Sequence, residues 1–191
     1  MSFWTAQNKQ YAAQYLMRAA GLSPMGAAGL VSRWANVEAS AGPTAVNPSS
    51  GAFGIAQWLG ARKAGIYPNT SFDAQLSYAA GELNGSEARA GNVLRNALTV
   101  DDGARGASMY ERAEGYNAAT GRDNWTGATA SGVAEVFALI SGGGNAGSPS
   151  TASVDSGSYA DSAIAGPGNE RTKLLIGAAV GLSLLWLYFR S

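Results

Sequence analysis

Glu38 is the residue whose setting in the sequence best suits acid–base chemistry. Apart from Arg33, it closes an apolar, uncharged stretch in which Val31, Trp34 and Val37 recur at helical spacing, so we expect it in the last turn of a helix. The negative end of a helix dipole and apolar neighbours both disfavour a charged carboxylate. Cleavage of a glycosidic bond needs a carboxyl group that keeps its proton near neutral pH. By itself the pattern favours a solvated last-turn glutamate, and only together with the motif downstream does it favour a general acid.

A turn-rich segment, Asn47–Trp58, follows Glu38 and carries groups that suit a sugar ligand. Gly51 and Gly54 permit a close approach of the backbone to a ligand or a strained turn. The amide of Gln57 offers a donor and an acceptor for sugar hydroxyl and N-acetyl groups. Trp58 offers an apolar face on which a pyranose ring can stack. Plain core packing is the alternative interpretation of Trp58.

Further polar groups lie downstream. Tyr116 and Asn117 are candidates to face the cleft, where the tyrosine hydroxyl would hold the acid, and a structural turn is the alternative. Glu111 and Arg112 are predicted to form a structural ion pair. A retaining glycosidase with two carboxyl groups needs the second about 5 Å from the first. The candidates for that second group are Asp73, Glu111 and Glu114, and the sequence does not choose among them.

Composition excludes several other chemistries. The chain contains neither histidine nor cysteine, which removes structural zinc sites, the usual catalytic zinc sites and the Cys–His and Ser–His–Asp nucleophile systems. We therefore expect no metal and no cofactor. Lys and Arg total 13 and Asp and Glu also total 13, so no basic field is available to gather nucleic acid. Nucleic acid is not an expected partner.

The motifs together resemble a known superfamily. Glu38, the nearby Ser40 and the Asn47–Trp58 segment resemble the lysozyme-like fold of soluble lytic transglycosylases and goose-type lysozymes. The motif Gly-Ile-Ala-Gln-Trp at Gly54–Trp58 resembles the phage tail lysozymes more closely. Those proteins also carry Tyr-Glu-Arg near the end of the domain, and this chain has the same three residues at 110–112. Ala39 separates Glu38 from Ser40, a departure that puts the role of Ser40 in doubt.

The resemblance implies a fold, an activity and a set of site residues. The fold would be a lysozyme-like domain in which Glu38 acts as acid and then as base on the bond between N-acetylmuramic acid and N-acetylglucosamine. Sugar contacts would come from the following residues: Ser40, Gln57, Trp58, Tyr116 and Asn117. Either water or the 6-hydroxyl of the same sugar would attack, so lysozyme and lytic transglycosylase both stay open.

The elements that position these residues are mainly helical, with at most a small β-hairpin near residues 44–46 and 52–55. Ser23 and Pro24 predict a helix start, and Ser71 and Asp101 are further candidate caps. The expected helices cover Thr5–Ala20, Pro24 through Val37, Phe72–Leu83, Ala104–Tyr116 and Ala130–Ile140.

Composition divides the chain into three parts. Residues 1–141 have the mixed pattern of a folded domain, and residues 142–170, rich in Gly, Ser and Ala, predict a flexible linker. Within residues 171–191, the uncharged run Leu174–Phe189 covers roughly 24 Å as a helix, close to the ~30 Å of a bilayer core. We expect a single C-terminal transmembrane anchor.

The leading hypothesis is a membrane-anchored virion enzyme that cuts peptidoglycan glycan strands at the host cell envelope and associates with other virion proteins. One alternative is a non-enzymatic lysozyme-like module that binds the wall or has a structural role in the virion. Another is a small membrane protein with a disordered tether, such as a holin-like or scaffold component.

Overall fold

The computed structural model describes residues 2–38 and 42–142, which form a helical domain. Its α-helices are α1 (Ala6–Ala20), α2 (Pro24–Arg33), α3 (Gly60–Ala64), α4 (Phe72–Asn84), α5 (Ala88–Arg95), α6 (Val100–Glu111) and α7 (Thr126–Ser141). A π-helical turn, Trp34–Glu38, continues α2 directly, and a 3₁₀ turn covers Gly42–Thr44. The expectation of a mainly helical domain is confirmed.

The expected hairpin is reduced to isolated antiparallel bridges within the described residues. Val46 pairs with Phe53, and Phe53 also pairs with Trp58. The residues near 44–46 and 52–55 do meet, but the turns that separate them leave room for single pairs only. This short β-like corner follows the 3₁₀ turn and leads into α3.

Three helix starts follow the chemistry of their capping residues. Thr5 precedes α1 and its hydroxyl accepts from the backbone N–H of Asn8 at 3.2 Å. Ser23 caps α2 in the same way and Pro24 occupies the first turn, where its missing N–H costs nothing. Ser71 caps α4. The starts of α2 and α4 agree with the predicted caps, and α1 begins one residue after the expected Thr5.

The start of α6 differs from the prediction that Asp101 caps a helix over Ala104–Tyr116. Thr99 is the cap, because its hydroxyl accepts from the backbone of Asp102 while the Asp102 carboxylate accepts from the backbone of Thr99. This reciprocal capping box satisfies two otherwise orphaned N–H groups. The helix ends early because Arg112 adopts a left-handed conformation with φ of 49°.

The second helix, α2, lies at the centre of the domain and contacts α1, α5, α6 and α7. Leu30, Val31 and Trp34 are fully buried around it. Where α2 crosses α6, Gly29 and Gly103 bring the two backbones together: a Cβ atom on Gly29 would lie 2.3 Å from the carbonyl oxygen of Gly103. The helix that leads to Glu38 therefore touches, through its main chain, the helix that ends at Glu111.

The predicted linker (142–170, apart from Gly142) and the predicted anchor (171–191) lie outside the described residues. Among residues 2–38 and 42–142, no helix has the length and apolar character needed to cross a membrane.

Candidate functional site

Glu38 ends the π-helical turn Trp34–Glu38, as expected for a residue at a helix terminus. Its Oε1 accepts from Arg33 Nε at 2.6 Å, and 15% of its side chain is exposed. Arg33 lies five residues earlier, and π-helical turns of this kind occur frequently at functional sites. The expected apolar setting is interrupted by Arg33, the one charged residue of that stretch, whose fully buried guanidinium contacts the carboxyl group of Glu38.

Arg33 lies between two carboxyl groups. Its Nη1 donates to Asp123 Oδ1 at 3.0 Å, and both side chains are 0% exposed. Burial alone would lower the pKa of Arg33, but the hydrogen bond to Asp123 and the charge of Glu38 raise it above its ordinary value. Burial would raise the pKa of Asp123, and the contact with Arg33 reverses that effect, so its pKa is lowered. The three groups form a buried Asp123–Arg33–Glu38 chain of charges.

Asp123 is held in place by the start of α7 and by α6. Its Oδ1 accepts from the backbone N–H of Trp125 at 2.9 Å and from the hydroxyl of Ser108 at 3.2 Å. The hydroxyl of Thr126 lies 3.3 Å away. Asp123 was not among the residues predicted for the site, because it lies three residues before the first residue of α7 and has no local pattern that indicates a buried charge.

Glu111 is the second carboxyl group of this region. Its Oε1 accepts from the indole N–H of Trp34 at 2.6 Å, and Trp34 is fully buried. Removal from water and the charge of Glu38 raise the pKa of Glu111 well above its ordinary value. The charge of Arg62, the Trp34 hydrogen bond and the charge of Arg33 act in the opposite direction but are outweighed.

The predicted Glu111–Arg112 ion pair is wrong. Arg112 instead forms two hydrogen bonds with the carboxylate of Glu87, each 2.7 Å long. The end of α6 separates the two side chains, because Arg112 leaves the helix with a left-handed backbone. The other candidate second carboxyl groups lie elsewhere: Asp73 accepts from the hydroxyl of Tyr11 at 2.7 Å, and Glu114 is exposed in the loop after α6.

Gln57 lies in the tight turn that follows Gly51 and Gly54. It has a positive φ of 47°, and its side-chain amide donates to the carbonyl oxygen of Gly54 at 3.0 Å. Gly54 has φ of 76°, and a Cβ there would lie 2.6 Å from Gln75 Oε1. Gln75 is fully buried. Its side-chain amide accepts a hydrogen bond from the backbone of Ile55 and donates to the carbonyl oxygens of Pro43 and Asn69, so it holds this turn in place. Gln75 was not among the residues predicted for the site.

Trp58 lies in the core, with 1% of its surface exposed. Its indole N–H donates to Glu82 Oε2 at 3.0 Å, and the hydroxyl of Tyr110 donates to the same oxygen at 2.5 Å. Arg62 binds both oxygens of Glu82, at 2.7 Å and 2.9 Å. Because its ring has no open face for a sugar, the structure agrees with the core-packing interpretation of Trp58, and the stacking prediction does not fit this burial.

Tyr116 and Asn117 lie in the loop between α6 and α7. Tyr116 is half-buried and packs against the core. Asn117 is exposed, and its side-chain oxygen accepts from the backbone of Ala119 at 2.9 Å and of Thr120 at 3.3 Å, which corresponds to the structural-turn interpretation. Ser40 lies outside the described residues.

The site that the structure brings together therefore consists of Glu38, Glu111, Arg33 and Asp123. A buried cation holds one glutamate, and a neutral indole N–H holds the other. Carboxyl groups whose surroundings differ in this way are suited to opposite proton-transfer roles.

Comparison with known proteins adds one finding. The family of phage tail lysozymes matches residues 7–136, which is more than half of the chain and includes all four residues of this site. No curated protein and no solved structure matches the chain.

Proposed function

The chain belongs to the phage tail lysozyme family, and we propose that it is a virion-associated glycosidase that cuts the bond between N-acetylmuramic acid and N-acetylglucosamine. Membership of the family implies a lysozyme-like peptidoglycan hydrolase in general. The cleaved bond, the catalytic role of Glu38 and the location in the virion are the proposed details. The enzyme would open the host wall locally during infection.

Glu38 is the proposed general acid/base. The observation that supports this role is its position at the end of a π-helical turn, fixed by the buried Arg33 and partly open to solvent. A group on a rigid element reaches the substrate in one geometry, and placement within about 1 Å is worth ~10²-fold in rate. Glu38 would assist departure of the leaving oxygen and then activate the attacking hydroxyl group.

The attacking group distinguishes two forms of the reaction. Water would give a reducing sugar, and the 6-hydroxyl of the same muramic acid would give an anhydro product. Mass spectrometry of the soluble fragments from purified peptidoglycan separates the two, because the anhydro sugar is lighter by one water. Gln57, Tyr116 and Asn117 are the described residues that we propose for sugar contacts, with Ser40 as a further candidate.

The test of the function is the Glu38→Gln variant. The amide keeps the volume and can still accept from Arg33, but it can neither donate nor accept the catalytic proton. General acid–base assistance is worth ~10²–10⁴-fold, so the release of soluble sugar from purified walls should fall by that factor. Glu114→Gln is the matched control, since Glu114 is exposed and outside the site.

Activity of folded Glu38→Gln near the wild-type rate would contradict the assignment. A wild-type protein that binds walls without lowering their turbidity would instead support the non-enzymatic alternative, a module that binds the wall or has a structural role in the virion.

The proposed setting includes a membrane. The uncharged run Leu174–Phe189, with Arg171 and Lys173 before it and Arg190 after it, supports a single-pass C-terminal anchor for a catalytic domain at 1–141. Full-length protein should partition into detergent, and deletion of residues 174–189 should move it to the aqueous phase. A deletion variant that stays in the detergent phase would contradict the anchor.

A further inference from the structure

Two adjacent residues each hold one of the two glutamates of the site. Arg33 and Trp34 are neighbours in the chain and both are fully buried. The guanidinium of Arg33 binds Glu38 at 2.6 Å, and the indole N–H of Trp34 binds Glu111 at 2.6 Å. Because one short stretch of backbone places both donors, the positions of the two carboxyl groups are linked.

The two donors differ in charge, and this difference divides the roles of the glutamates. A guanidinium favours an ionised carboxylate, and a neutral N–H donor also binds the oxygen of a protonated acid. Glu111 is the last residue of α6, where the negative end of the helix dipole disfavours a second negative charge. Glu111 therefore suits the protonated form, whereas the carboxyl group of Glu38 is bound to a buried cation.

The charged groups that face Glu111 come from three elements. Glu38 at the end of the π-helical turn raises its pKa, and Arg62 on α3 and Arg33 on α2 lower it. Withdrawal from water raises it further, and the balance lies well above the ordinary value. When two like charges share a site, one of the groups retains a proton to higher pH, as in other carboxyl pairs.

We infer that Glu111 is a second catalytic carboxyl group, which delivers its proton to the glycosidic oxygen while Glu38 accepts the proton of the attacking group. The inference rests on the proposed function, and it gives the acid role to Glu111 and the base role to Glu38, where the proposed function gives both roles to Glu38.

The bond between the anomeric carbon and the glycosidic oxygen breaks, its electron pair stays on the oxygen, and the Glu111 proton neutralises that oxygen. Water or the 6-hydroxyl forms the new bond to carbon, and its proton passes to Glu38. Glu111 then carries the negative charge and Glu38 the proton, and exchange with solvent restores the starting state.

The first experiment is Glu111→Gln in the full-length protein. Glutamine is neutral, like the protonated acid, and its oxygen can still accept from Trp34, but it cannot donate a proton. Sugar release from purified walls should fall ~10²–10⁴-fold, while circular dichroism and the melting temperature at neutral pH stay at or above those of the wild type. Glu87→Gln is the matched control, since Glu87 is a buried glutamate that binds Arg112 and lies outside the site.

The second experiment does not depend on that variant. Wild-type activity should decline at alkaline pH as Glu111 loses its proton. Trp34→Phe removes a hydrogen bond that lowers the pKa of Glu111, so the alkaline limb should move to higher pH. A purely structural role of Trp34 would lower the rate at every pH without moving the limb.

The outcomes are distinct. Folded Glu111→Gln with wild-type activity, or an alkaline limb that Trp34→Phe leaves in place, overturns the inference and leaves the proposed function intact. An active Glu38→Gln overturns the proposed function itself. If Glu111→Gln does not fold, the pH profile of Trp34→Phe decides.

Discussion

Replacement of Asp123 by Asn tests whether the buried charge chain holds the site together. Asparagine keeps the shape, and its oxygen can still accept from the backbone of Trp125 and the hydroxyl of Ser108. What it loses is the negative charge beside Arg33, 3.0 Å away in a pair that is 0% exposed on both sides. The perturbation is therefore almost purely electrostatic.

The expected loss follows from the burial of both partners. Removal of one member of a buried ion pair costs about 3–5 kcal/mol, because the other charge is left without compensation. Arg33 still has Glu38 at 2.6 Å, so we expect the lower end, about 3 kcal/mol. For a domain of this size that corresponds to a melting temperature about 10 °C lower.

Asp101→Asn is the matched control. Asp101 also pairs with an arginine, Arg122, which is the residue before Asp123, but that pair is exposed on both sides. An exposed pair contributes about 0–1 kcal/mol. Thermal unfolding followed by circular dichroism at neutral pH should therefore separate the two variants clearly, and equal melting temperatures would refute the reasoning.

The dependence on pH gives a second check of the same variant. The pKa of Asp123 is lower in the folded state than in the unfolded chain. Its contribution is therefore complete above the unfolded value of about 3.9 and is lost as the pH falls through the folded value. The difference between Asp123→Asn and the wild type should shrink at acid pH. A difference that is constant down to strong acid would contradict an electrostatic origin.

Two further predictions concern the scaffold. Gly29→Ala should destabilise the domain by about 1–3 kcal/mol or more, because the new methyl group meets the backbone of Gly103. Gly81→Ala is the control, because Gly81 is an exposed helical position with no atom within 4 Å of the new methyl group, and it should stabilise the domain by about 1 kcal/mol. Urea unfolding measures both changes. Trp58→Phe should cost about 1.5–3 kcal/mol through the lost bond to Glu82, with activity per folded molecule unchanged. Weaker sugar binding at unchanged stability would restore the stacking role of Trp58.

Local signals in the sequence predicted most of the helices, but not α3 or α5. The hydroxyl caps at Ser23 and Ser71 involve only residues close together in the chain, so they can be predicted without knowledge of the tertiary structure. Asp101 shows the limit of such signals. Two acidic residues occupy the first turn of α6, and only the pairing of Thr99 with Asp102 identifies the cap.

The candidate site was predicted only in part, because most of its contacts join distant residues. Glu38 has a local pattern, but Arg33 lies five residues from it and contacts it through a π-helical turn that the pattern of apolar residues does not indicate. Glu111 lies at the end of α6 and Asp123 shortly before α7, and both are far from Glu38 in the sequence. The burial of Trp58 also depends on a residue that is distant in the sequence. Its indole N–H donates to Glu82, so the ring predicted to bind a sugar lies in the core instead.

The crossing of α2 and α6 at Gly29 and Gly103 has a consequence for how the two glutamates tolerate change. Two helices that meet through side chains can shift when those side chains are replaced, since a smaller or larger residue alters the distance between axes. Helices that meet through their main chains have no such layer to adjust. The interval between Glu38 and Glu111 should therefore persist through wide variation of the surrounding hydrophobic residues, and drift only when a glycine at the crossing is replaced.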